Sequence, residues 1–358
     1  VSRTGPWRDR LASIRAAGRH RVLRTLSPTG PVTALYGTRE VLVACSNDYL
    51  GLAWDPEVRR AATGGGAGSS RLVSGTRPAH RALEDAVAEW LCTEAALVLP
   101  SGWHANVAVF STVVGAGDTV ASDAAVHASI IDGLRLSKAR RVVVPHATPD
   151  AIEPPVSLVA VEGLYSMDGD RPPLDRYPKE PWLAVDEAHA VGCLGPDGRG
   201  VAAGFGIVPD VIVGTFGKAF GASGAFVAGS RDLIDLLVNE ARSFLFTTAV
   251  PEPVATMALG GLRRASAEQR DRLAANTTRL RRSLRDLGWA PLGDAHVVPL
   301  VTGPRTMELM DAMLRRGVYA AGIRWPTVPE GSERIRLTVS AAHSADDLDR
   351  IADAVGPA

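Results

Sequence analysis

Lys218 sits in the stretch Thr215-Phe-Gly-Lys-Ala-Phe-Gly221, and no lysine follows it in the chain. Its glycines permit tight turns and close backbone approach, and the preceding Val211 to Val213 form an apolar run suited to a buried strand. An amine held there is partly desolvated, which lowers its pKa and frees its lone pair. That is the chemistry of an imine-forming lysine, whereas an isolated Gly-Lys pair reads as a solvated loop. Upstream, Asp186 ends the apolar run that begins at Trp182, and His189 follows. A carboxylate at the end of a buried strand carries a large desolvation cost unless it meets a cation. A protonated pyridine nitrogen is such a cation, and His189 is spaced to reach the phenolic oxygen of the same ring. Acid, imidazole and lysine in this order form a signature of pyridoxal 5′-phosphate chemistry, in which the ring is an electron sink.

Asp186-Glu-Ala-His189 also spells the box of helicase-type ATPases. Those need a GxxxxGK[ST] phosphate loop, which the sequence lacks, and Lys218 is followed by alanine. Composition agrees that nucleic acid is not the partner: Lys+Arg and Asp+Glu both total 39. Cys45, Cys92 and Cys193 are widely spaced and odd in number, so they offer neither a disulfide framework nor a metal pair. No metal is expected. Without a membrane-length apolar run or a signal peptide, a cytoplasmic protein in a reducing compartment is the simplest expectation.

The elements that must position these residues alternate. Strands are expected at 41–45, 95–100, 118–123, 141–145, 156–161, 182–186 and 211–213, with helices over 80–91, from 101 and from 125. That pattern points to an α/β protein with a mostly parallel sheet covered on both faces. Ligands in such sheets lie beyond the carboxyl ends of the strands. Glu162, Asp186 and the turn to Lys218 each follow an apolar run and so fall on one rim. The small residues of Ser101-Gly-Trp-His-Ala-Asn106 open a helix and make a phosphate site. The Gly-rich segment 64–76 reads as a ligand-wrapping loop, with Arg71 arguing against a plain linker. Residues 1–30 read as a basic amphipathic helix ending near Ser27-Pro28, with Trp7, Leu11 and Ile14 at helical spacing. After Phe246 the texture changes to long helices, including one near 266–287, with strands near 297–301, 318–323 and 335–339. The division expected is an N-terminal arm and first strand over 1–45, a large cofactor-binding domain over 46–245 and a smaller α+β domain over 246–358.

Taken together, Ser46-Asn-Asp-Tyr-Leu-Gly51, Gly68-Ser-Ser-Arg-Leu-Val-Ser-Gly75, Ser101–Asn106, His127-Ala-Ser129, Glu162-Gly-Leu-Tyr-Ser-Met-Asp-Gly169, Val185–His189, Thr215–Gly221, Phe246-Thr-Thr-Ala249 and Arg334-Ile-Arg-Leu337 occur in the order found in α-oxoamine synthases. The chain resembles that family over about residues 40–345, and within it the 8-amino-7-oxononanoate synthases. The resemblance implies pyridoxal-phosphate fold type I, as in aspartate aminotransferase. Lys218 holds the cofactor as an imine and later moves the Cα proton, and Asp186 pairs the pyridine nitrogen. His189 and Ser166 lie about the ring oxygen, His127 stacks on the ring face, and Glu162 belongs to the same cofactor site. Gly102, Trp103 and Thr215 hold the phosphate, with Thr247 or Thr248 arriving from the other subunit of a homodimer. Arg336 binds the amino-acid carboxylate as a fork, with Asn47 beside it and Arg324 at the substrate side.

The reaction implied is a decarboxylative condensation of an amino acid with an acyl-CoA or acyl-carrier-protein thioester. Gly322-Ile-Arg-Trp-Pro-Thr-Val-Pro329 favours L-alanine and a pimeloyl thioester, although Trp325 stands where a proline is expected and Glu252 interrupts an expected double proline. Those departures keep open a relative that uses another acyl donor. A fold-type-I aminotransferase uses the same Lys218–Asp186 pair and is the alternative from another reaction class.

Overall fold

The computed structural model describes residues 4–358, so residues 1–3 of the expected N-terminal arm lie outside the described residues. A seven-stranded sheet organises the chain, in the order Ala95–Leu99, Ala225–Gly229, Val211–Thr215, Trp182–Asp186, Leu158–Glu162, Thr119–Asp123, Arg140–Val144. Ala225–Gly229 runs against both neighbours, and the pairs from Val211–Thr215 through to Arg140–Val144 are parallel. Four of these strands are buried at every position, as near-continuous apolar runs demand when both faces are covered.

Alternate residues of one strand feed different cores. Leu97 and Leu99 pack with Phe110 and Ile130, from helices Gly102–Thr112 and Ala128–Ser137. Ala96 and Val98 pack on the other face with Leu83 and Val87 of helix Pro78–Leu91 and Ala258 of helix Glu252–Arg264. The crossovers around Leu158–Glu162 contain only short helical turns, Pro149–Ala151 and Leu174–Arg176. That part of the chain is committed to loops rather than to covering helices.

Two smaller sheets lie outside this layer. One joins Ser27–Pro28, Thr33–Tyr36 and Arg39–Val43 to Val318–Tyr319, the last pairing being parallel. The other places Arg334–Thr338 between Val297–Val301 and Ala321–Ile323. The expected strand at 318–323 is therefore two strands in different sheets. Helix Ala267–Asp286 matches the expected long charged helix and starts from a Ser266–Gln269 capping box.

The expected N-terminal helix is shorter than its sequence pattern suggests. It spans Gly5–Ala16, buries no residue, and gives way to extended chain well before Ser27. Without a surface to bury its apolar positions, it has little to hold a longer helix together. Arg71 also departs from a ligand-wrapping role within this chain: it is buried and ion-paired to Glu84 at 2.9 Å. No helix among the described residues is long and apolar enough to cross a membrane.

Candidate active site

Parallel register sets the site. Glu162 lies opposite Asp186, and Asp186 opposite Val213, at the carboxyl ends of their strands. The turn beyond Thr215 then brings Lys218 to the same rim. Gly221 closes that turn at φ +64°, and a Cβ there would overlap the backbone of Leu52 and Ala53, so only glycine fits. These residues line a cavity of about 820 Å³ together with Asn47, Gly102, Trp103, His127, Ser166, His189, Thr215 and Arg336.

The charges are held by few partners. Asp186 accepts from Asn106 Nδ2 at 2.7 Å and from the Ala188 amide at 2.9 Å. Asn106 also donates to Ser129 Oγ at 2.9 Å, and its own Oδ1 is buried without a protein partner. Ser129 Oγ lies 2.7 Å from His127 Nδ1, so helix starts 102 and 128 are tied to the acid. Burial drives the Lys218 amine down to about 8, against the opposing pull of Asp186 and Glu162. Burial, reinforced by Asp186, raises Glu162 well above the carboxylate range. Burial lowers His127, and lowers His189 well below its usual value, so both imidazoles are neutral near pH 7.

At the far wall, Arg336 donates through Nε to the Ser166 carbonyl at 2.6 Å. Its two terminal nitrogens reach Asn47 Oδ1 at 3.3 and 3.4 Å, and the guanidinium also lies against the Tyr49 hydroxyl. The guanidinium is thus fixed in direction while its fork is weakly engaged, which suits capture of a carboxylate. Gly102 and Trp103 begin an α-helix whose cap Ser101 accepts from the His104 amide at 3.3 Å. A helix start beside a cavity supplies N–H donors and a positive dipole end for a phosphate. Thr215 Oγ1 is turned inward, donating to the Gly224 carbonyl at 2.9 Å and accepting from the Gly217 amide at 3.1 Å.

One expected residue falls elsewhere. Arg324 does not line the cavity; its Nη2 donates to the His20 carbonyl at 2.7 Å and ties the N-terminal segment to the loop after it. Thr247 and Thr248, expected to serve the other subunit, do not line this chain's cavity, and Thr248 bridges to Ser70. Sequence reasoning, in turn, passed over Asn106, Ser129, Tyr49 and His296. The first three lie inside motifs already singled out, so motif membership was a usable signal. His296, buried and hydrogen-bonded to the His189 carbonyl at 3.0 Å, gave none.

The residues fit pyridoxal phosphate: an amine of depressed pKa, an acid able to hold a pyridinium, an imidazole for the ring oxygen, and a helix start for the phosphate. Comparison with known proteins agrees. Residues 39–355 match the family described as aminotransferase class I and II. The 8-amino-7-oxononanoate synthase of Geobacter sulfurreducens is 40% identical over 95% of this chain and 94% of its own. That of Pelobacter propionicus is 42% identical over the same shares. Among solved structures, serine palmitoyltransferase of Sphingomonas wittichii aligns with a TM-score of 0.90 at 29% identity, covering 99% of this chain and 96% of its own. The 8-amino-7-oxononanoate synthase of Francisella tularensis aligns with a TM-score of 0.77 at 25% identity, covering 88% and 96%. The chain belongs to the class I and II aminotransferase family, in its α-oxoamine synthase branch, and is a pyridoxal-phosphate-dependent acyltransferase of that branch.

Proposed function

We propose that this chain condenses L-alanine with a pimeloyl thioester, carried on coenzyme A or a carrier protein, to give 8-amino-7-oxononanoate, CO2 and a free thiol. The observation that carries the reading is the Arg336 fork, anchored at Nε and weakly engaged at its tip, facing the cavity that holds Lys218. An amino-acid carboxylate on Arg336 leaves its amino group and Cα proton within the cavity. The relatives named above supply the choice of substrates.

Bound pyridoxal phosphate supplies the electron sink for the amino-acid carbanion and for loss of CO2. The rest falls to the chain. The Lys218 amine, with its pKa near 8, is neutral often enough near pH 7 to act as nucleophile and then to take the Cα proton. Asp186, braced by Asn106 and the Ala188 amide, would hold the pyridine nitrogen. Neutral His127 would present an uncharged ring to the cofactor face, and His189 with Ser166 would hold its ring oxygen. Glu162, held near neutral by burial, adds no second negative charge beside Asp186. Gly102 and Trp103 would take the phosphate with Thr215 beside them, and Thr247 or Thr248 would serve the site of a second copy in a homodimer. The exposed helix Gly5–Ala16, with Trp7 73% accessible, supports a covering partner. The free cysteines Cys45, Cys92 and Cys193 suit the cytoplasm.

A second reading rests on Trp325. The Arg19 guanidinium lies 3.7 Å from its ring centre and pairs with Glu330 at 2.9 Å, building a bulky cap beside cavity-lining Pro326. Such a cap favours an acyl group other than pimeloyl. The deciding experiment offers L-alanine, glycine or L-serine with a panel of acyl-CoAs and follows thiol release and product mass. Turnover of L-alanine with pimeloyl-CoA is expected. Turnover only with other acyl groups transfers the assignment to the second reading. Amino-group transfer to a keto acid without thiol release would sink both.

A further inference from the structure

His146 follows strand Arg140–Val144 and does not line the active cavity, yet both of its ring nitrogens are engaged. Nδ1 lies 3.0 Å from Asp123 Oδ1, and Nε2 lies 2.8 Å from Asp170 Oδ2. The ring meets Tyr165 edge-on, with centroids 4.4 Å apart. The two acids belong to different walls of the cavity. Asp123 ends its strand and starts the turn 124–127, which lines the cavity as far as His127. Asp170 closes the loop that brings Ser166 and Met167 to the cavity, because its carbonyl accepts from the Tyr165 amide at 3.0 Å.

Little else holds these walls together. Pairing between strands Thr119–Asp123 and Leu158–Glu162 stops where Ser122 faces Ala160. Among the described residues, no backbone hydrogen bond joins 124–127 to 163–170. The His127 amide meets the Glu162 carboxyl, and His146 supplies the second tie. Its inner anchor is firm: buried Asp123 also accepts from the amides of Ala125 and Ala147, both at 2.7 Å. Ala147 adopts φ +51°, a conformation that a residue with a Cβ keeps only where its surroundings hold it. An imidazolium is the ring form that donates at both nitrogens. The bonds to Asp123 and Asp170 favour it, raising the His146 pKa to about 10 against the effect of burial. Of the other titratable groups nearby, Asp168 is paired with Arg334 at 2.6 Å, and burial keeps Tyr165 and Tyr177 uncharged.

We propose that His146 is a positioning residue: bonded to Asp123 and Asp170 at once, it sets the spacing between the wall that carries His127 and the wall that carries Ser166, and through the Ser166 carbonyl it aims Arg336. The last link is the 2.6 Å bond from Arg336 Nε to that carbonyl. Arg334, two residues earlier on the same strand, grips the Met167 carbonyl at 2.9 Å, so the loop and the strand move together. The inference rests on the proposed carboxylate role of Arg336, not on the identity of the acyl group.

The test has two readouts on the cofactor-loaded protein. Histidine ring nitrogens are labelled with ¹⁵N, and those of His146 are assigned by their loss in His146→Gln. Both should read as protonated at about pH 8, where an ordinary histidine is neutral. A single protonated nitrogen there would overturn the proposal, and so would His127 signals that do not move in His146→Gln. The second readout is amino-acid affinity by spectral titration, which should fall about tenfold in His146→Gln. Arg336→Lys already lacks the bond to Ser166, so adding His146→Gln to it should weaken affinity by less than about twofold more, while the losses in melting temperature add. Additive losses in affinity would overturn the proposal and leave the carboxylate role of Arg336 standing. Unchanged affinity in Arg336→Lys alone would remove that role and the proposal with it. If His146→Gln does not fold, Asp170→Ala cuts the same tie at its half-exposed end and is read in the same way.

Discussion

The two ends of the central sheet both carry cavities, and they differ in what lines them. At the carboxyl ends of the parallel strands, about 820 Å³ is bounded by Lys218, Asp186, Glu162, His127, His189 and Arg336. At the other end, about 520 Å³ is bounded by the strand starts Leu158, Trp182 and Val211, with Glu94, Asp210 and Leu236. Two of the three acids that line the second cavity are committed to backbone: Asp210 accepts from the Leu183 amide at 2.8 Å and Glu94 from the Arg231 amide at 2.9 Å. Among the described residues, no lysine, arginine or histidine lines it. The first cavity holds buried polar groups whose partners leave capacity free, as with the Arg336 tip and Asn106 Oδ1. Space alone therefore does not mark a reactive site. Ionisable groups kept out of water and incompletely paired do, because their proton affinities are the ones that burial displaces.

Removing the amine tests that contrast most severely. Lys218→Ala should lower condensation by on the order of 10³-fold or more, since nucleophile and proton carrier are lost together. Its cofactor should be retained only as a non-covalent complex, without the lysine-bound absorbance. Full activity measured by thiol release would remove the distinction between the two rims. Next in size is Arg336→Lys, which keeps the charge but loses the fork and the Nε bond to Ser166. The KM for the amino acid should rise by on the order of 10²-fold with a smaller change in kcat. An unchanged KM would place the carboxylate elsewhere.

The pH dependence of cofactor capture sharpens the same point. Imine formation needs the neutral amine, and burial brings Lys218 down to about 8. Stopped-flow binding of pyridoxal phosphate by the apoprotein should accelerate about tenfold per pH unit below 8 and level off above it. An exposed lysine would keep accelerating beyond pH 9, and that result would mean the amine is not desolvated.

The sequence carried the parts of this contrast that are local. Asp186 and Lys218 each end or follow an apolar run, so a parallel sheet had to bring them to one rim, and the strand register does so. Ser101 and the small residues after it announced a helix start, and the helix begins at Gly102. What was not legible depends on encounters between distant segments. Tyr49, His189 and His296 meet through folds of the backbone that no spacing rule describes. Arg324 reads as a substrate residue through the family resemblance, yet its Nη2 donates to the His20 carbonyl and it does not line the cavity. The stretch 318–323 reads as one strand because its apolar pattern is continuous, while its two halves pair in different sheets. The N-terminal helix shows the same limit from the other side: its basic amphipathic pattern runs past Ala16, but the helix Gly5–Ala16 buries none of its residues against the described part of this chain.

The smallest expected effect falls at the opposite rim. Trp182 is 54% exposed at the start of its strand, and its amide is bonded to the Ser157 carbonyl at 3.1 Å whatever its side chain. Trp182→Ala therefore leaves the backbone pairing in place and removes a half-exposed ring from the second cavity. About 1 kcal/mol of stability should be lost, because only part of the ring's area is buried to begin with. Both kcat and KM should stay within about twofold of wild type, since the strand is braced along its length by fully buried neighbours and Asp186 sits at its far end. A tenfold fall in kcat with unchanged melting behaviour would show that the strand transmits what happens at one rim to the acid at the other. The two cavities would then be one coupled system, and the lining of the second would have to be read for a ligand in its own right.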